Sequence, residues 1–232
     1  MNENFFALAE EFRKNSQYKE SVENYLKSIL INRENPASYL GLALSYKNLK
    51  NYKKAISILE KAEKLSPEDI SIQKELAMCN IIDGNYCRGI KHLINAIKME
   101  PTNTDLQMQL ALVHEMIEEE DMAIMIYQKI IETDPEYIRA YIQKATLYMH
   151  TEDYLNCAKT FKKVLKLNKD YFRAYLALGI CMEKLGNTNA AKRYYKKYLK
   201  YNSISENRKE VFERILGLTN ELNKEEITLR IV

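Results

Sequence analysis

The chain has 232 residues, 46% of them hydrophobic, with 35 lysines and arginines against 32 aspartates and glutamates. That is ample for a large core, and a net charge of +3 gives little support to a partner chosen by bulk charge. Six glycines and four prolines leave few turns and favour helices over a sheet-rich fold.

The opening stretch, MNENFFALAEEFRKN, has no basic leader and no long apolar run, so it does not read as a signal peptide. No apolar run approaches the ~18 residues of a membrane span, and a cytoplasmic location is expected. Helical units are then predicted in chain order, beginning near residues 2, 36, 70, 104, 138 and 172. They follow from a period of 34: Pro67, Pro101 and Pro135 recur in the phrases KLSPED, KMEPTN and ETDPEY. One small column runs Ala9, Ala43, Ala77, Ala111, Ala145, Gly179. A second runs Ser21, Ala55, Gly89, Ala123, Cys157, Ala191, followed four residues later by Tyr25, Leu59, Leu93, Tyr127, Phe161, Tyr195.

Two small columns, one in each half of a unit, let two helices approach closely, and the large column fills the space beside them. KLKN, IDGN, HTED and KLGN fit short turns between the halves, with Gly84 and Gly186 suited to a left-handed residue after a helix. The prolines end each second helix. Six helix–turn–helix units therefore occupy residues 2–205, none able to bury its apolar face alone. Residues 206–222, with Val211, Phe212, Ile215, Leu216 and Leu218 at helical spacing, read as a capping helix. Residues 223–232 form a C-terminal tail.

Period, small columns, aromatic columns and terminal proline together resemble the tetratricopeptide repeat family. YLGLALSY, with Tyr39, Leu42, Ala43 and Tyr46, and YLALGICM, with Tyr175, Leu178 and Gly179, carry the resemblance best. It implies an all-α, right-handed superhelical solenoid of stacked helix–turn–helix hairpins. Lys144 in the leucine column, Asn80 and His114 in an aromatic column, and Arg33, Lys169 and Ser203 in the proline column depart from the pattern.

No chemistry is expected. The glycines are absorbed by the repeat, neither GxxxxGK[ST] nor GxGxxG occurs, and HExxH and GxSxG are missing. Cys79, Cys87, Cys157 and Cys181 lack CxxC spacing, and His92, His114 and His150 are dispersed, so no metal and no cofactor are expected and most thiols should be buried. His114 reads as a partly buried histidine with a local hydrogen-bond partner. The chain reads as a non-enzyme.

The resemblance implies that the first helices line a concave groove. Its candidate apolar residues are Leu40, Leu44, Met78, Ile81, Met108, Leu112, Ile142, Met149, Leu176 and Ile180, with Arg139 and Arg173 at a rim suited to an acidic group. The competing reading is that curvature buries these side chains within the array. The chaperone-tail clamp of the family is not matched, since Phe6, Glu10, Gly41, Ser71 and Glu75 occupy its columns. The expected function is a non-catalytic scaffold or adaptor binding an apolar or amphipathic protein segment. AAKRYYKKYLKYN (190–202) offers an alternative: a basic, aromatic patch for an anionic partner or nucleic acid, against a solvated outer face carrying lysines. Nucleic acid is the less expected partner. The alternating tail EEITLRIV suggests self-association or occupancy of the groove.

Overall fold

A computed structural model describes residues 4–201 and 209–219. Every described element is an α-helix. In order they are α1 (Phe5–Lys14), α2 (Tyr18–Ile31), α3 (Pro36–Asn48), α4 (Tyr52–Leu65), α5 (Ile70–Ile82), α6 (Tyr86–Met99), α7 (Thr104–Met116), α8 (Glu120–Thr133), α9 (Ile138–His150), α10 (Tyr154–Leu167), α11 (Phe172–Lys184) and α12 (Thr188–Tyr201). Residues 209–219 form a further helical segment. The chain divides into two compact units, residues 1–119 and 120–232.

Helix starts are written in the sequence. Asn4, Asn35, Asn51, Asp69, Asn103 and Asp153 cap their helices by accepting a backbone N–H of the first turn, and Pro36 stands at the first position of α3. The stops inside the repeats share one geometry. Ser16, Lys50, Gly84, Glu118, Glu152 and Gly186, each 34 residues from the next, all have positive φ, between 58° and 83°. The N–H of the following residue bonds the carbonyl five back in Gln17 to Phe12, Asn51 to Tyr46, Asn85 to Asn80, Glu119 to His114 and Asn187 to Met182, at 2.8–2.9 Å. This closes the last turn as a Schellman motif.

In unit 1, α1 to α6 pack in sequence and α7 packs on α6. Ala43, Ala55, Leu59, Ile72 and Leu76 form one core cluster, and Ala77, Leu93, Ala96, Leu106 and Val113 another. In unit 2, α8 packs on α9, and α9 to α12 follow in sequence. Its core comprises Ala145, Cys157, Phe161, Val164, Ala174 and Leu178. Val211 and Leu218 of the 209–219 segment pack with Tyr175, Tyr195 and Tyr198, which is the covering role expected of a capping helix. Both small columns and the large column beside them are buried in all six repeats. The tail 223–232 lies outside the described residues.

Three of the four cysteines are buried and Cys87 is exposed. The Sγ atoms of Cys157 and Cys181 lie 3.2 Å apart between α10 and α11; this contact and burial push the Cys157 thiol well up. Burial, with the Glu75 charge adding to it, pushes the Cys79 thiol up to about 11. These are inert interior thiols.

Candidate functional site

In unit 1, Leu44, Met78 and Leu112 hold one repeat position on α3, α5 and α7. Leu44 and Leu112 are half-buried, and Met78 is 41% exposed. Leu40 packs partly against the Ala43–Leu59–Leu76 core. Lys47 of α3 reaches across to α5, with Nζ 2.6 Å from Glu75 and 3.9 Å from the Met78 sulfur. An ion pair thus ties neighbouring first helices beside the exposed methionine. The apolar columns alone did not disclose it, although Lys47 shares a column with Arg13 and Glu183.

Two expected groove residues are used elsewhere. Met108 is only 2% exposed and lies in the interior, closed to a ligand. Ile81 turns toward Gly89: a Cβ on that glycine would meet the Ile81 side chain at 2.6 Å. Gly89 leaves a methyl-sized gap in α6, and Ile81 fills it within the hairpin.

In unit 2, Ile142 and Met149 are half-buried against the core of α9 to α11. Leu176 and Ile180 are half-buried against Tyr175, Tyr195, Tyr198 and the 209–219 segment. Arg139 and Arg173 are exposed near the starts of α9 and α11. His114 is buried, and its Nδ1 lies 2.6 Å from Glu119 in the next turn. That is a local hydrogen bond and no catalytic arrangement.

Polar networks anchor the first and last hairpins. Tyr25 donates to Glu10, and Arg13 donates to Glu10 at 2.7 Å and to the Tyr25 oxygen at 3.3 Å. Burial alone would raise the Glu10 carboxyl, but the bonds from Arg13 and Tyr25 and the Arg13 charge hold it below the usual carboxylate range. Burial, then the bond to Glu10, pushes the Tyr25 phenol well up. Tyr195 donates to Glu183, which also accepts from Arg214 at 3.3 and 3.4 Å. Burial and the bond to Glu183 raise that phenol likewise. Among the described residues no group of three or more His, Cys, Asp or Glu is placed to hold a metal. No described helix is long and apolar enough to cross a membrane.

Tetratricopeptide repeat models match residues 36–69, 138–171 and 173–203. No curated protein matches the chain. Among solved structures, the C-terminal part of a TPR repeat-containing protein from Cytophaga hutchinsonii is similar at 18% identity and TM-score 0.75, covering 92% of this chain and 95% of that one. YrrB, described as a TPR protein with an unusual peptide-binding site, is similar at 16% identity and TM-score 0.64, covering 83% and 99%. MamA is similar at 21% identity and TM-score 0.63, covering 72% and 92%. At these identities the likeness is one of fold.

Proposed function

Because the chain belongs to the tetratricopeptide repeat proteins, we propose that it is a non-catalytic scaffold that binds a protein segment on the first-helix faces of its repeats. The observation that carries the reading is Met78. It is 41% exposed in register with half-buried Leu44 and Leu112. A thioether on an open face is an adaptable anchor. The peptide-binding site attributed to YrrB adds support at the level of fold only.

An amphipathic helix or an apolar extended peptide suits such a face, because its recognition rests on side-chain anchors in series. Each anchor fully covered by a ligand contributes about 1.5–3 kcal/mol before association costs. Lys47 and Glu75 already satisfy each other, so a ligand gains little by pairing with either. In unit 2, Ile142, Met149, Leu176 and Ile180 offer a separate half-buried set. There Arg139 and Arg173 are the donors for an acidic group.

Selection from a display library of short peptides tests the reading. Amphipathic peptides should be enriched. Their affinity, measured by fluorescence anisotropy, should fall about tenfold, the equivalent of 1.4 kcal/mol, on Met78→Glu, with the melting temperature unchanged. Peptides that bind the wild type and both Met78→Glu and Leu44→Lys equally well would remove this face from consideration.

A further inference from the structure

We infer that one side of unit 2 is a docking site for an acidic polypeptide segment, built from two basic crevices one repeat apart. The first crevice, of ≈ 330 Å³, lies among α8, α9 and α10 and is lined by Lys144, Lys159 and Lys163 with Ile131 and Tyr141. The second, also ≈ 330 Å³, lies among α10, α11 and α12 and is lined by Lys162, Arg193 and Lys197 with Met182, Ala190 and Tyr194. Lys159 and Arg193, Lys163 and Lys197, and Gln128 and Lys162 hold the same repeat positions in the two crevices.

The charge is unusually one-sided. α10 carries four lysines and no carboxylate. α12 carries four lysines and an arginine, and again no carboxylate. None of these nine side chains is in an ion pair among the described residues. Lys144 donates to Gln128 at 2.6 Å and lies over the Tyr148 ring, and Lys197 lies over the Tyr175 ring. Glu132 interacts with Lys144 and accepts from Gln128 at 2.8 Å.

Unit 1 supplies a carboxylate at one corresponding place: Arg88 of α6 pairs with Glu60 of α4 at 3.6 Å. Glu60 shares its repeat position with Lys162. The position that supplies a carboxylate to unit 1 supplies a further cation to unit 2. The missing negative charge has to come from outside or from solvent ions.

The occupant follows from the walls. Each crevice combines apolar side chains with cations, which suits a carboxylate carried on a methylene stem. A nucleic-acid backbone presents charge without such a stem, and its single strands rely on open aromatic platforms. Tyr141 and Tyr194 are half-buried against the hairpin core and are not open platforms.

A labelled peptide rich in Glu and Asp, titrated with the full chain and followed by anisotropy, tests this. Binding should weaken as salt screens the contact, and the matching Gln and Asn peptide should not bind. Lys163→Glu and Arg193→Glu, both at exposed positions, should each weaken binding about tenfold with helix content intact by circular dichroism. Lys61→Glu, at the unit 1 position equivalent to Lys163, should leave it unchanged. Equal binding of the amide peptide, an equal effect of Lys61→Glu, or tighter binding of a single-stranded oligonucleotide would each overturn the proposal. Met78→Glu should not affect this binding, so the outcome stands apart from that of the first-helix face.

Discussion

The first and last hairpins place a tyrosine at the same repeat position and use it differently. Tyr25 lies against Gly41 of the next repeat, where any Cβ would overlap its ring. Its hydroxyl is held by Glu10 and Arg13, both on α1. Tyr195 lies against Gly179 of its own hairpin. Its hydroxyl is held by Glu183 on α11, and the arginine that completes the network, Arg214, comes from the segment after the repeats. At the N-terminal end, then, the tyrosine ties its repeat forward to α3 with a self-contained polar head. After the last repeat, the 209–219 segment supplies that partner. One repeat position thus anchors its hairpin forward to the next repeat at Tyr25 and to the following segment at Tyr195.

The largest effect is expected from removing the rings. Tyr25→Ala and Tyr195→Ala should each cost roughly 3–5 kcal/mol, as truncating a buried aromatic does, read from urea midpoints at unchanged slope. A cost below about 1 kcal/mol at either end would mean that ring is not an anchor. Next come the glycine seats. Gly41→Ala and Gly179→Ala should each destabilise by about 1–3 kcal/mol through overpacking. Gly41→Ala in a Tyr25→Leu background should recover most of that loss, since Leu59 and Leu93 hold the same column elsewhere.

The arginines sharpen the difference between the ends. Arg13 approaches its carboxylate to 2.7 Å, and Arg214 only to 3.3 Å with a more exposed side chain. Arg13→Ala should cost about 1 kcal/mol and Arg214→Ala about half as much, as partly exposed pairs do. Arg214→Ala should also speed amide exchange in 209–219 and leave α1 and α2 unchanged. The smallest effect is in pH. Glu10 is held below its ordinary value near 4.5. Its contribution is therefore present above that pH and is lost as pH falls through the folded value. Glu10→Gln should flatten stability across that acid window. The raised phenols act in the opposite sense: their contribution is present below pH 10 and is lost as pH rises above it.

How much was legible depends on what each residue answers to. The small columns and the large column beside them were readable because close helix packing admits few side chains, and all of them are buried. Groove residues answer to their neighbours. Ile81 left the face because Gly89, one small residue among several in its column, leaves room that an alanine would fill. Met108 looked equivalent to Leu40 and Ile142 by position, yet it alone of the three is buried. The crevices of unit 2 have a partial signal in the basic run 190–202 and in Lys144, which stands out in an apolar column. That Lys162 of α10 joins Arg193 and Lys197 of α12 in one cavity depends on the packing of the helices. His114 was legible because a polar residue in an aromatic column needs a nearby partner, and Glu119 is five residues on.

The left-handed turn residues have a use beyond ending helices. Ser16, Lys50, Gly84, Glu118, Glu152 and Gly186 are all exposed, share one backbone geometry and recur once per repeat. Four of them are not glycine, so these turns accept a side chain despite the usual penalty of roughly 1–2 kcal/mol for that conformation. The protein thereby carries evenly numbered graduation marks along its sequence. A reporter fixed at successive marks would read fraying one repeat at a time without entering any helix.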